Sequence, residues 1–192
     1  VEAVEEGKMV ARLHTGDPAL FSAVHEQRAL LEQKDIDYTI VPGVSSVFAA
    51  AATLKAELTL PGICQTVIIT RLEGRTPMPP KEKIESLAQH QATLVLFLST
   101  PQLSVVVKQL IEGGYPPETP VAIVARASWP DEKIIRGTLG NIESHVNAEE
   151  IDNPSIVLVG KALSPSLSKS EGVPRSRLYD ASFSHGRRPA KR

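Results

Sequence analysis

Residues 9–54 read MVARLHTGDPALFSAVHEQRALLEQKDIDYTIVPGVSSVFAAAATL and run twice through the same order of patterns. Residues 9–13 are a short apolar run and a strand candidate. They close on the turn His14-Thr15-Gly16-Asp17-Pro18. Residues 19–33 have helical composition, with Leu20, Val24, Leu30 and Leu31 as the apolar members. Residues 38–41 are β-rich and stop at Pro42-Gly43. Ser45-Ser46 then offers an N-cap hydroxyl to the Ala-rich run 47–54, where it can satisfy an orphan backbone amide. Strand, turn and helix, twice over, predict an α/β fold with a parallel sheet.

Working outward, residues 58–63 (LTLPGI) form a linker around Pro61-Gly62, and the alternation then resumes. Strands are expected at 66–70, 93–98, 121–126, 133–135 and 155–160. Helices are expected at 81–89, 104–112 and 141–146, with Gly113-Gly114 ending the second. This organisation predicts two α/β lobes, residues 1–63 and 64–163. A Ser-, Pro- and Arg-rich tail, 164–192, is expected to be flexible.

Bulk composition excludes more than it selects. The chain has 192 residues, 42% hydrophobic and 22% charged, which is ordinary for a folded protein. A net charge of -1 argues against nucleic acid or a membrane surface as partner. No apolar run reaches the roughly 18–20 residues of a membrane span. Cys64 is the one cysteine, so no disulfide framework or CxxC metal site is available, and a reducing compartment fits. The five histidines have no metal-ligand spacing, and no metal is expected. The first ten residues, VEAVEEGKMV, lack the basic end and apolar middle of a signal peptide. They read as an acidic helix running into a strand, which suggests a domain begun upstream.

Four loops hold residues that suit chemistry. His14-Thr15-Gly16-Asp17-Pro18-Ala19 lies between a strand and a helix, where open α/β sheets bind ligands; Gly, Asp and Pro also suit any such turn. The small residues after Pro42-Gly43 let a ligand approach backbone amides, or simply make a tightly packed helix start. Arg71-Leu72-Glu73-Gly74-Arg75 flanks a glycine with two guanidinium groups, which match carboxylates; a solvated charged loop is the plain alternative. Trp129, beside Pro130, is either a lid over a flat ligand or a plug over the core. No GxSxG elbow, phosphate loop or GxGxxG is present, and no activated nucleophile is evident.

Taken together, RLHTGDPALF, IVPGVSSVFAAAA, QTVIITRLEGRTPMP, ASWPDEKIIRGTL and SRLYDASFSH resemble the tetrapyrrole methyltransferase family. Within it they are most similar to the branch that methylates precorrin-4 at carbon 11. The strings run through nearly the whole chain in order, and TRLEGRTP and SWPDEKI are the most specific. The resemblance implies two α/β lobes with a cleft between them, S-adenosyl-L-methionine as cofactor, a tetrapyrrole (corrinoid precursor) as substrate, a homodimer and a cytoplasmic location. Thr15, Gly16, Asp17 and Leu20, with Ser45, Ser46 and Ala49, are implied cofactor contacts from the first lobe. Leu98, Ala127, Gly160 and Ala162 are implied from the second, the last two flanking Lys161. Arg71, Glu73, Arg75 and Trp129 are the candidates for holding the substrate. Two departures stand out. The family's opening strand and GxGPGD loop are absent, so residues 1–63 are expected to form the second half of a lobe, and Ser22 stands where the family commonly has Gly.

Methyl transfer from a sulfonium needs alignment and exclusion of water rather than a nucleophile, which agrees with finding none. Glu73 and His14 are the candidate proton acceptors. Two other readings stay open at this level: another methyltransferase of the same fold, acting on a uroporphyrinogen or a diphthine precursor, or a non-catalytic fragment.

Overall fold

The computed structural model describes residues 1–148, 151, 154–168, 176 and 184. The expected flexible tail lies outside them apart from 164–168, 176 and 184, and SRLYDASFSH lies almost wholly outside. The chain forms two compact units, Val1–Ala49 and Ala50–Arg192.

The first unit contains α1 (Glu2–Glu5), α2 (Val24–Gln33) and the start of α3 (Ser46–Leu54). Its described residues form no strand, which corrects the expectation at 9–13 and 38–41. A strand exists only as part of a hydrogen-bonded ladder, and neither segment has a partner strand among the described residues. Their apolar side chains face solvent: Met9 is 100% exposed, Leu13 90% and Val41 73%. Helix α2 also starts later than its composition suggested. Asp17 Oδ1 accepts the Ala19 amide at 2.8 Å, and Phe21 and Ala23 take left-handed φ of 54° and 51°, so no helix can propagate before Val24. A triad of Arg28, Glu32 and the Tyr38 hydroxyl then ties the following segment to α2, with the hydroxyl donating to Glu32 at 2.7 Å.

The second unit is built on five strands: β1 (Val67–Arg71), β2 (Thr93–Phe97), β3 (Pro120–Ala125), β4 (Lys133–Thr138) and β5 (Ser155–Val159). They pair in the order β1-β2-β5-β3-β4. Among the described residues β1 and β2 pair in parallel and the other three ladders are antiparallel. The expected parallel sheet is therefore a mixed one. The reason lies in the connections. Helices α4 (Ile84–Ala88) and α5 (Leu103–Glu112) carry β1, β2 and β3 in one direction, as βαβ crossovers require. The short 126–132 loop reverses the chain into β4, and α6 (Ile142–Ala148) leads to β5, which inserts between β2 and β3.

Register explains the core. Leu94 pairs Val159, Leu96 pairs Val157, and across β5 these meet Val121 and Ile123 of β3; Ile123 in turn faces Ile135 of β4. All lie on one face and belong to one buried cluster with Ile84, Ala88, Val106, Leu110 and Ile142 from the helices. Helix α5 buries Leu103, Val106, Val107 and Leu110, the i, i+3, i+4, i+7 stripe of a helix against a sheet. Truncating such a fully buried leucine costs about 2–5 kcal/mol. Gly113 ends α5 where a Cβ would lie 2.5 Å from the Ala88 Cβ, so α4 and α5 approach too closely there for any side chain. The alternate residues, which point to the other face, are buried as well: Val95, Val124 and Leu158 are each at most 1% exposed. The central strands thus read as continuous apolar runs rather than alternating ones.

Candidate functional site

In the first unit the two candidate loops clasp each other. Asp17 Oδ2 accepts the Gly43 amide at 3.0 Å while its Oδ1 holds the Ala19 amide. A Cβ on Gly43 would lie 2.1 Å from the Gly16 carbonyl oxygen, so only glycine fits. Gly16 itself has a φ of 73°, a conformation glycine adopts without cost. The clasp seats the start of α3. Ser45, 4% exposed, caps it: its Oγ accepts the Val47 amide at 3.3 Å, as the sequence suggested. Gly16, Asp17, Ser45 and Ser46 are thus neighbours within this unit, with Thr15 in the same turn, Leu20 just beyond it and Ala49 one turn along α3.

In the second unit the mixed sheet has two unlike edges. At one edge lie the carboxyl ends of β1, β2 and β3 and the amino ends of β4 and β5. Ligands of open α/β sheets bind outside the carboxyl ends of such strands. Arg71 and Leu98 are here, and Ala127 follows β3. Leu98 is held at a φ of 54° with its side chain 70% exposed, beside a wholly buried Ser99. Arg126 (φ 51°) and Ser128 (φ 71°) also take left-handed conformations. Two carboxylates fasten this last loop: Asp131 pairs the Arg126 Nε at 3.0 Å, and Glu132 Oε2 accepts both the Ser128 amide and the Thr53 hydroxyl at 2.8 Å. Trp129 projects from the loop 57% exposed, so the structure does not make it a plug over the core.

The Arg71 loop divides its charges unevenly. The Arg71 guanidinium donates to the carbonyls of Leu72, Thr76 and Pro77 at 3.1–3.4 Å. Glu73 Oε1 accepts the Met78 amide at 3.3 Å. Both side chains therefore shape the loop, whereas Arg75 at its tip is exposed.

Gly160 and Ala162 sit at the opposite edge. Gly160 donates its amide to Pro120 and follows Val159, which pairs Leu94 at the start of β2. Gly160 lies opposite Thr93, and the length of β2, at about 3.3 Å per residue, separates it from Leu98 by roughly 16 Å. The structure thus does not bring these two residues to the edge of Leu98 and Ala127. It brings instead Pro154, whose carbonyl accepts the Arg126 amide at 2.9 Å, and Ser155, whose hydroxyl meets that of Thr100 at 2.7 Å. Sequence reading missed both, because only the antiparallel insertion of β5 puts its beginning, rather than its end, beside Leu98.

The opposite edge is closed and polar within. Thr93, 0% exposed, donates its hydroxyl to the Leu58 carbonyl at 2.8 Å, and its amide donates to Cys64 Sγ at 3.2 Å. The Tyr115 hydroxyl donates to the Ala92 carbonyl. Burial, aided by the nearby Cys64, pushes the Tyr115 hydroxyl well above its ordinary range. Among the described residues no group of three or more His, Cys, Asp or Glu could hold a metal ion. No helix there is long and apolar enough to cross a membrane.

Residues 1–143 match the family model for tetrapyrrole (corrin/porphyrin) methylases, and the chain belongs to that family. It is 54% identical over 185 residues to the cobalt-precorrin-4 C(11)-methyltransferase of Methanocaldococcus jannaschii, covering 96% of this chain and 70% of that protein. It is 46% identical over 187 residues to the precorrin-4 C(11)-methyltransferase of Mycobacterium tuberculosis, covering 97% of this chain and 72% of that one. Its structure resembles the crystal structure of a cobalamin biosynthetic enzyme, cobalt precorrin-4 methyltransferase, with a TM-score of 0.83 at 49% identity, over 85% of this chain and 69% of the other.

Proposed function

We propose that this chain transfers a methyl group from S-adenosyl-L-methionine to carbon 11 of precorrin-4 or cobalt-precorrin-4, a step of cobalamin biosynthesis. The observation that carries this reading is 54% identity spread over 96% of the chain to a protein of that activity.

The residues suit the cofactor. In the first unit Gly16, Gly43 and Val44 are exposed beside Ser45 and Ser46. At the sheet edge the exposed Leu98, with the small Ala127, offers an apolar shelf for a flat adenine ring. Bound there, the cofactor supplies an electrophilic sulfonium methyl. The chain's own work is then to orient donor and acceptor and to exclude water. We assign cofactor contacts to Thr15, Gly16, Asp17 and Leu20 mainly through backbone, to Ser45, Ser46 and Ala49, and to Leu98 and Ala127. Arg75 and Trp129 are assigned to the acidic side chains and ring edge of the substrate, with Arg71 and Glu73 shaping their loop. The lobes of the working enzyme divide near residue 63, and it acts as a cytoplasmic homodimer without nucleic-acid or membrane partners.

Calorimetric titration with S-adenosylhomocysteine, followed by a methyl-transfer assay on both acceptors, tests the proposal. Saturable one-site binding and methylation of one acceptor are expected. A folded chain that neither binds the product nor methylates would refute it.

A further inference from the structure

Ser99 is buried completely, and the mechanism so far does not use it. Its hydroxyl donates to the Phe97 carbonyl at 2.7 Å and accepts the Leu72 amide at 2.9 Å. The first bond closes a tight turn over Leu98, the residue in the left-handed region with its side chain in solvent. The second reaches the exit of β1. The Leu72 carbonyl in turn accepts from Arg71, whose guanidinium also holds Thr76 and Pro77. One hydroxyl therefore links the turn that presents Leu98 to the loop that presents Arg75. A leucine with positive φ is strained and persists only where its surroundings hold it there, and the Ser99 turn supplies that hold.

We propose that Ser99 is a positioning residue that keeps the cofactor-facing Leu98 and the substrate-facing 71–77 loop in one register. The proposal rests on the functional reading above. Ser99 touches neither ligand; it acts through the backbone at Leu98 and Leu72. Replacing it with alanine frees the Leu98 turn and leaves the Leu72 amide buried without its acceptor.

The test compares Ser99→Ala with Thr93→Ala, which removes an equally buried hydroxyl at the opposite edge of the same sheet. Both variants are expected to melt at lower temperature. Only Ser99→Ala is expected to raise the dissociation constant for S-adenosylhomocysteine, by at least fivefold, and to speed tryptic cleavage after Arg71. Equal affinity in Ser99→Ala and wild type, or equal losses in both variants, overturns the proposal. If Ser99→Ala fails to melt cooperatively, Ser99→Cys keeps the volume with a weaker hydrogen-bonding atom, and a rise of about twofold is expected against none. A wild-type chain that binds no S-adenosylhomocysteine overturns the functional reading and this one with it. A wild-type chain that binds, with variants that bind equally well, overturns only the role of Ser99.

Discussion

The two edges of the five-stranded sheet spend their polar groups in opposite ways. At the edge of Thr93, Tyr115 and Gly160, hydroxyls and amides turn inward and donate to backbone carbonyls and the Cys64 sulfur. At the edge of Leu98 and Arg126, they fasten loops whose backbones are left-handed and whose apolar side chains stand in water. One edge contributes stability and the other spends it on geometry. Strain that neighbouring contacts hold in place is a common mark of functional sites, and here Leu98, Arg126 and Ser128 gather it at one edge, against Gln91 alone among non-glycine residues beside Thr93.

Substitutions that exchange the two behaviours break or sharpen this contrast. Gly160→Ala at the closed edge should have the largest effect. Gly160 has a φ of 146°, and a Cβ would lie 3.2 Å from the Thr93 Cα. A loss of about 3 kcal/mol in denaturant unfolding is expected, with the affinity of the folded fraction for S-adenosylhomocysteine unchanged. A loss of affinity would mean that this edge belongs to the site after all.

Tyr115 gives a pH test of the same edge. Its folded pKa is raised, so its contribution is complete below the unfolded value of about 10 and is lost as pH rises above it. Stability should fall by about 1 kcal/mol per pH unit at the start of that window. Tyr115→Phe should flatten this part of the profile; an unchanged slope would assign the loss to other groups.

Leu98→Gly should move stability the other way. Glycine relieves a φ of 54°, and the lost side chain is largely exposed, so unfolding free energy should rise by about 0.5–1 kcal/mol. Affinity for S-adenosylhomocysteine should fall nonetheless. A variant both more stable and fully competent would deny the open edge its role.

Arg75→Ala should leave stability within about 0.5 kcal/mol, as expected of an exposed loop tip. The apparent substrate constant should rise several-fold. Arg71→Ala should raise it too, but with faster proteolysis of the loop. Matching proteolysis in the two variants would remove the distinction drawn between them.

Much of this contrast was open to reading from residues. Every strand of the second unit was anticipated to within a few positions, because β-branched runs such as TLVLF and SIVLV have few other uses. The Ser45 cap was legible for the same local reason. Strand direction was not. Local composition specifies that residues 155–159 form a strand but not which neighbours receive it. An end-for-end reversal therefore left Gly160 and Ala162 far from Leu98 and hid Ser155. Residues 9–13 and 38–41 show the converse: an apolar run is a strand only when another strand is there to bond it. The burden on Arg71 and Glu73 was also invisible, since a charged side chain turned back onto its own loop has the same letters as one turned outward.

The insertion of β5 between β2 and β3 also sets an order of events. Synthesis releases the β1–β2 pair and the β3–β4 hairpin long before residues 155–159 leave the ribosome. Until then each half-sheet carries one inner border with unsatisfied amides and carbonyls, which invites wrong partners. The keystone arrives last, and pairing it closes contacts of high sequence separation, which are slow to form. Folding of this unit should therefore remain incomplete on the nascent chain until that strand emerges, and chaperone dependence should concentrate in that interval.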